Sequence, residues 1–407
     1  MKAQPAVPGS HGHRPATALL VLGTRPEAIK LAPVVRALRE GLDVQPVVIT
    51  TGQHQVGVDD VLELFGIVPQ RSLRMPRRSP DGLVRLYADM MAHLDPVMSV
   101  LDPDVVVVQG DTASVLAGAQ TAFLQRRPVV HVEAGLRSGS LSEPFPEEAN
   151  RRLVSTISSL HLAPTLTAEA NLLHEGHSGD EVIVTGNTAV DALLFAAAAP
   201  APLPDPRFES ALAGGRRLVV VTAHRRESWG AGMRRIASGV ATLAEAHPEV
   251  LFAIVTHMNP AVRQVFGTAM AGRANVFVTG PLRYVQFVRL LAAAEVVLTD
   301  SGGIQEEAPV LGVPVLVLRD RTERTEGVYA GAAELVGTDP GALVAATHRV
   351  LASRRERSPV SASSLYGDGR AGVRSAAAIG WLLGLCPRPE PFDAGPLIPT
   401  PASATTY

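Results

Sequence analysis

Three observations predict an α/β architecture with two Rossmann-like, doubly wound domains facing a central cleft. Short apolar runs rich in β-branched residues alternate with helical patterns along the chain, the signature of parallel sheets covered on both faces. The alternation stops once, at residues 196–207 (AAAAPAPLPDPR), which carry alanines and prolines but no periodicity and read as a linker. Each half then opens alike, with an apolar strand and a basic turn, Gly23-Thr24-Arg25 in one and Ala223-His224-Arg225-Arg226 in the other. At 407 residues, 46% hydrophobic and 19% charged, the chain is too long for one core, and two or three domains are expected.

Taken in order, residues 1–15 mix Pro, Gly, His and Ser and read as a disordered tail. The first domain, 16–195, has strand candidates at Ala18–Leu22, Pro46–Thr50, Val105–Val108, Val129–Val132, Leu160–Ala163 and Val182–Thr185. Helical patterns lie between them, among them Glu27–Glu40 and Thr112–Arg126. The second domain, 208–370, has strand candidates at Leu218–Thr222, Leu251–Val255, Val276–Val278, Val296–Thr299, Val315–Leu318 and Ala333–Val336. A last helical stretch, 371–386, is expected to cross back to the first domain, and 387–407, rich in Pro, Ala and Thr, reads as a second disordered tail.

Composition excludes several function classes. A formal net charge of −2 argues against a nucleic-acid or anionic-membrane binder. Cys386 is the only cysteine, so neither a disulfide framework nor a thiolate metal cluster is available. His174 and His177 lack partners at metal spacing, His11 and His13 fall in the tail, and no metal site is expected. No apolar run approaches the roughly 20 residues that span a bilayer. The stretch Ala16–Gly23 is short for a signal sequence and runs into Thr24-Arg25-Pro26-Glu27, so a cytoplasmic protein is expected. No Gly-x-Gly-x-x-Gly follows a strand, no Gly-Lys-Ser/Thr loop exists and Gly-x-Ser-x-Gly is absent; dinucleotide, ATP and serine-hydrolase sites are unsupported.

The chemistry-bearing residues gather at strand ends, where doubly wound sheets bind ligands. In Thr299-Asp300-Ser301-Gly302-Gly303-Ile304-Gln305-Glu306-Glu307 an apolar strand runs into Ser-Gly-Gly and a helix. Glycines admit close backbone approach, and the helix start offers N–H groups and a positive dipole end, which suits a diphosphate. Glu306 and Glu307 are placed to accept from ribose hydroxyls. An ordinary strand–turn–helix joint is the alternative for Ser-Gly-Gly taken alone. Asp111 follows one strand, Glu133 the next, and Glu147 closes the loop beyond. Singly, each is ordinarily a cap or a surface charge. Together they suit general acid–base work, especially if crowding raises one pKa. His224 is placed to touch or protonate a departing phosphate, or else to cap a helix. His257 occupies a similar strand end, Arg324 is placed to complete the phosphate site, and Arg25 with Lys30 points toward the same cleft. Lys30 stands out because Lys2 and Lys30 are the only lysines among 37 basic side chains.

Together these segments resemble the bacterial non-hydrolysing UDP-N-acetylglucosamine 2-epimerases. The matching motifs are GTRPEAIK (Gly23–Lys30), GDT (Gly110–Thr112), HVEAGLR (His131–Arg137), PEEANR (Pro146–Arg151) and TGNTAVDAL (Thr185–Leu193). Further on come HRRES (His224–Ser228), DSGGIQEEAP (Asp300–Pro309), GVPVLVLRDRTER (Gly312–Arg324) and YGDG (Tyr366–Gly369). The resemblance implies a glycosyltransferase-B-type fold, a homodimer, and interconversion of UDP-N-acetylglucosamine and UDP-N-acetylmannosamine with neither NAD nor metal. By resemblance, Arg25, Ser301, Gly302, Gly303, Glu307 and Arg324 hold UDP, with His257 in the substrate set and Leu282 and Phe287 near uracil. Lys30, Asp111, Glu133, Glu147 and His224 match positions regarded as catalytic.

The chain departs from the family pattern in places. Gln55-Val56-Gly57 stand where Arg-(Glu/Gln)-Met is usual, in a loop that helps build a second, regulatory sugar-nucleotide site in many bacterial members. Gln109 replaces a common histidine, Leu141-Ser142-Glu143 a Tyr-Ser stretch, and Thr325 a proline. The catalytic set survives, which points to altered regulation or substrate rather than lost activity. A hydrolysing relative, a glycosyltransferase of the same fold and an inactive sugar-nucleotide sensor are the other readings.

Overall fold

The computed structural model describes residues 14–53, 57–73, 82–203, 205–223, 229–256, 260–322, 324–353 and 365–393. They form two compact units: residues up to Ala192 with those from Tyr366 onward, and Leu193–Leu365. Each unit is one parallel sheet with helices interleaved along the chain.

The first sheet has seven strands: β1 (Ala16–Leu22), β2 (Val44–Thr50), β3 (Arg71–Ser72), β4 (Val105–Gln109), β5 (Val129–Val132), β6 (Leu160–Ala163) and β7 (Val182–Val184). Their order is β3-β2-β1-β4-β5-β6-β7. The second has six: β8 (Leu218–Thr222), β9 (Leu251–Val255), β10 (Val276–Thr279), β11 (Val296–Thr299), β12 (Val315–Val317) and β13 (Ala333–Leu335), in the order β10-β9-β8-β11-β12-β13. In both, the chain winds outward one way from the first strand and then restarts on its other side. The crevice where the direction reverses lies between β1 and β4 in one unit and between β8 and β11 in the other, and ligands of open α/β sheets bind there.

Strand register explains why the runs read as continuously apolar. In the second unit Val219 and Val221 lie with Phe252, Ile254, Val296 and Leu298 in one buried cluster. Their neighbours Leu218 and Val220 join Leu251, Ala253, Val297 and Val315 in another. Successive side chains alternate faces, and both faces are covered, so no polar beat survives. In the first unit Leu19, Val21, Ile49, Val106 and Val108 pack with Met90, Leu94 and Val115.

The strands follow the sequence reading closely, with one omission and several boundary corrections. β3 has two exposed residues, too few to carry a period. The segment read as a linker, 196–207, is trimmed at both ends by helices: one spans Thr188–Ala198, another Pro206–Ala213, and 199–205 lie between them. Alanine is the best helix former, so the Ala run prolongs the first helix. Pro206 is the first residue of the second, where a missing N–H costs nothing, and Asp205 caps it by accepting from the Arg207 N–H at 2.9 Å. The last helix, Ala371–Leu382, belongs to the first unit and packs on helix Arg25–Gly41; a Cβ on Gly372 would come 2.8 Å from the Pro33 carbonyl oxygen. Asp191 accepts from the Ala371 and Gly372 N–H groups at its start (3.1 and 2.7 Å). The tail read as disordered from 387 is ordered to 393. The Phe392 N–H donates to the Val184 carbonyl (2.7 Å), and its ring is buried against Ala163, Leu172 and Val182. Among the described residues no helix is long and apolar enough to cross a membrane.

Candidate active site

In the first unit the expected acid–base residues come from loops that leave neighbouring strands. β4 ends at Gln109, and Gly110 turns the chain with φ +82°. The Asp111 carboxylate then meets Arg151 (Oδ2 to Nη2, 2.6 Å), while its carbonyl accepts from Asn150 Nδ2 (2.7 Å). Asn150 is held in turn by the Tyr87 hydroxyl, which donates to its Oδ1 at 2.9 Å. Burial pushes the Asp111 carboxyl above its ordinary range, Arg151 opposes, the nearby Glu147 adds to the rise, and Lys30 opposes again. Asp111 therefore sits among two cations and a second carboxylate.

Glu133 follows β5 with φ +61°, a left-handed backbone that non-glycine residues adopt at a cost and that clusters at functional sites. Its Oε1 is ion-paired with Lys30 Nζ, and its Oε2 accepts from Gln109 Nε2. Gln109 thus orients Glu133 directly. His131 is buried below this point, and its Nε2–H donates to the Gly110 carbonyl (2.8 Å). Burial holds its pKa at about 4, so the ring stays neutral and bonds the turn that presents Asp111.

The helix Glu147–Ile157 separates two adjacent glutamates by role. Glu147, at its first position, is partly exposed and close enough to Asp111 to act on its charge. Glu148 is buried and accepts from the Ser138 N–H (3.0 Å), Arg151 (3.0 Å) and Arg152 (3.2 Å). Burial raises the Glu148 carboxyl, but those three partners outweigh it and leave the group below the usual range. Arg151 bridges Glu148 and Asp111 and so fixes the loop after β4 to the helix.

Lys30 and Arg25 lie on helix Arg25–Gly41, which starts immediately after β1 and Thr24. The Arg25 side chain crosses the Gly57 backbone, where a Cβ would come 2.7 Å from its Cδ. The altered residues Gln55 and Val56, with His54, lie outside the described residues. So do His224 and His257, and both expectations stand unplaced.

In the second unit β11 leads through Asp300 and Ser301 into helix Gly302–Val310. Ser301 is the N-cap, yet its side chain makes no capping bond. Arg324 supplies the cation beside this start. Its guanidinium lies so close to Gly302 that a Cβ there would meet Cζ at 2.9 Å, whereas Gly303 has open space around it. The Arg324 Nε donates to Glu306 Oε1 (2.9 Å), its backbone N–H to Thr322 Oγ1 (3.1 Å), and Thr322 donates to Gln305 Oε1 (2.6 Å). Glu306, read with Glu307 as a ribose acceptor, is buried against Arg324 and belongs to the support of the cation. Glu307 is half-buried at the next position. Leu282 is buried and Phe287 partly so, in the cluster that also contains Ile304 of the same helix.

Sequence reasoning overlooked Arg151, Asn150, Tyr87 and Thr322 as partners of the candidate site residues. Arg151, one turn after Glu147, carried a signal. Tyr87 and Thr322 are joined to the site only by the fold.

These two clusters can be set beside known proteins. A family model described as UDP-N-acetylglucosamine 2-epimerase matches residues 36–380. The UDP-N-acetylglucosamine 2-epimerase of Escherichia coli K12 is 42% identical over 369 residues, 89% of this chain and 97% of that protein. Among solved structures, a Staphylococcus aureus MnaA–UDP co-structure is 37% identical with a TM-score of 0.83, covering 93% of this chain and all (100%) of that one. The Neisseria meningitidis UDP-GlcNAc 2-epimerase bound to UDP-GlcNAc is 38% identical with a TM-score of 0.79, covering 90% and 100%. On this agreement of family model, relatives and two-sheet α/β fold, the chain belongs to the UDP-N-acetylglucosamine 2-epimerase family.

Proposed function

We propose that this enzyme interconverts UDP-N-acetylglucosamine and UDP-N-acetylmannosamine by elimination and re-addition of UDP, without net hydrolysis. One observation carries the reading: two carboxylates on adjacent loops are held in different electrostatic settings. Asp111 is buried beside Arg151 with its pKa raised, and Glu133 is locked between Lys30 and Gln109. Inversion at a carbon needs a base on one face and an acid on the other, and groups poised differently suit that division.

Carbon 2 of the sugar is not α to a carbonyl, so a carboxylate cannot simply take its proton. Cleavage of the C1–O bond comes first, and the β-phosphate oxygen leaves with the electron pair. The oxocarbenium-like centre left at C1 acidifies the C2–H. A carboxylate removes that proton, giving the glycal and UDP. Return of a proton to the opposite face of C2 and attack of the phosphate oxygen on C1 complete the epimerisation, with electrons balanced and no redox step. The start of helix Gly302–Val310 and Arg324 are the groups we assign to the diphosphate, where they stabilise the charge that develops as UDP departs. Arg25, Lys30, Glu147, His224 and His257 complete the assigned set, with Leu282, Phe287 and Glu307 toward the nucleoside.

Incubation with UDP-N-acetylglucosamine alone in heavy water tests the proposal. Intact UDP-N-acetylmannosamine carrying deuterium at C2 is expected. Free N-acetylmannosamine instead indicates a hydrolysing enzyme, and no turnover indicates a transferase awaiting an acceptor or a sensor; either outcome overturns the reading.

We also propose a homodimer. Exposed apolar side chains on three successive packed helices of the first unit support it: Val84 and Val100 on Gly82–Leu101, Phe123 and Leu124 on Ala113–Leu124, and Leu153 on Glu147–Ile157.

A further inference from the structure

We propose that Gln305 is a positioning residue for the diphosphate site: it couples the turn before helix Gly302–Val310 to the segment that presents Arg324, so that neither shifts without the other. The inference rests on the functional reading above and deepens it by naming what holds the assigned phosphate-binding groups in register. Gln305 is buried in the first turn of the helix. Its side chain has a donor end and an acceptor end, and both are engaged. Nε2 donates to the Ser301 carbonyl (3.2 Å), within its own turn. Oε1 accepts from the Thr322 hydroxyl (2.6 Å), which comes from the segment after β12. The first bond alone would be a local contact of the helix start; the second joins two separate segments of the fold.

The orientation of the amide follows from its neighbours. The Ser301 carbonyl can only accept, so it requires the NH2 end of Gln305 and leaves the oxygen end for Thr322. The Thr322 hydroxyl gives its single proton to Gln305, and its oxygen accepts from the Arg324 backbone N–H (3.1 Å). Arg324 then returns to the same helix twice. Its Nε donates to Glu306 Oε1 (2.9 Å), and its guanidinium lies over Gly302. The path closes on itself, from helix to loop to arginine and back to the helix.

The other side of the turn is held as well. The Ser301 N–H donates to Thr299 Oγ1 (3.0 Å), and Thr299 is hydrogen-bonded to Thr222 (Oγ1 to Oγ1, 2.6 Å) across β11 and β8, at the crevice where the winding reverses. Both threonines are buried. Ser301 thus has its N–H fixed to the strand ends and its carbonyl fixed to Gln305, while its hydroxyl makes no capping bond. This network sets the spacing between the helix start and the guanidinium before any ligand arrives, and groups arranged in advance stabilise charge without reorganising. Removing the Gln305 amide opens the closed path, yet the helical bond from the Gln305 backbone N–H to the Ser301 carbonyl (3.4 Å) remains.

A double-mutant cycle on UDP affinity, read by calorimetry, tests the coupling with wild type, Gln305→Leu, Arg324→Met and the pair. Leucine is close to glutamine in volume and removes both polar ends. Gln305→Leu is expected to bind UDP about tenfold more weakly than wild type, but to change affinity by less than about twofold once Arg324 is methionine, as for residues in one hydrogen-bonded network. An equal loss in both backgrounds marks a purely structural contribution to the helix and overturns the proposal, as does unaltered affinity in Gln305→Leu. Thr322→Val and Thr322→Ser decide independently if Gln305→Leu does not fold or Arg324→Met binds too weakly to measure. The valine variant is expected to reproduce the loss, and the serine variant, which keeps the hydroxyl, to bind like wild type; equal affinities for the two overturn the proposal. A wild type that binds no UDP overturns the assignment of the site itself, whereas UDP binding indifferent to Gln305 and Thr322 overturns only this inference.

Discussion

Asp111 and Glu133 occupy the same kind of position, yet the chain treats them differently. Asp111 is fastened from behind by Asn150 and faces Arg151; Glu133 is held in a left-handed backbone with a partner at each oxygen. Both arrangements fix a carboxylate before substrate arrives, so a change of charge without change of shape is the informative perturbation. Asp111→Asn and Glu133→Gln are each expected to retain UDP affinity close to wild type while deuterium exchange at C2 falls by about 100-fold or more, the usual scale of a lost acid–base group. Full exchange in either variant, measured by mass spectrometry, removes that residue from the mechanism. These carboxylates were legible in the sequence because each directly follows an apolar strand. Their second partners were not: Gln109 was marked only as a departure from the family pattern, and neither it nor Asn150 showed its contact until the fold turned it inward.

At the scale of elements, the start of helix Gly302–Val310 is packed against the strand-end segment that carries Arg324. Gly302 is small because the guanidinium lies over its backbone; a methyl group there would displace Arg324. The contact is with the tip of a flexible side chain, so the fold tolerates the change better than the site does. Gly302→Ala is expected to melt near the wild-type temperature but to bind UDP about tenfold more weakly, about 1.4 kcal/mol, as read by calorimetry; unaltered affinity would detach Arg324 from the nucleotide. Ser-Gly-Gly was readable as the joint of a strand and a helix start. The assignment of Glu306 to ribose was not sustainable from sequence, because only the packed structure turns that side chain toward Arg324. Likewise Pro206 looked like a linker residue, and its place as the first residue of a helix depends on Asp205 capping it.

For the whole molecule, the repeated strand–helix beat and the two basic strand-end turns announced the pair of doubly wound sheets. The sequence predicts that the last helix returns to the first domain, but local patterns did not announce that Phe392 packs beside β7. The proposed self-association belongs to this scale. Light scattering is expected to give twice the chain mass for wild type, and Phe123→Asp with Leu124→Asp is expected to give the single-chain mass, because a charge on an apolar interface is not repaid by water. Equal masses for both proteins would exclude that face.

Phe392 carries a consequence for biosynthesis. Its ring closes the far edge of the first unit beside β7, but it is translated after the whole of the second unit. On the ribosome, the amino-terminal lobe must therefore wait as an unfinished body with an open apolar notch until the later lobe has emerged, and maturation of the two lobes does not follow the order of their synthesis.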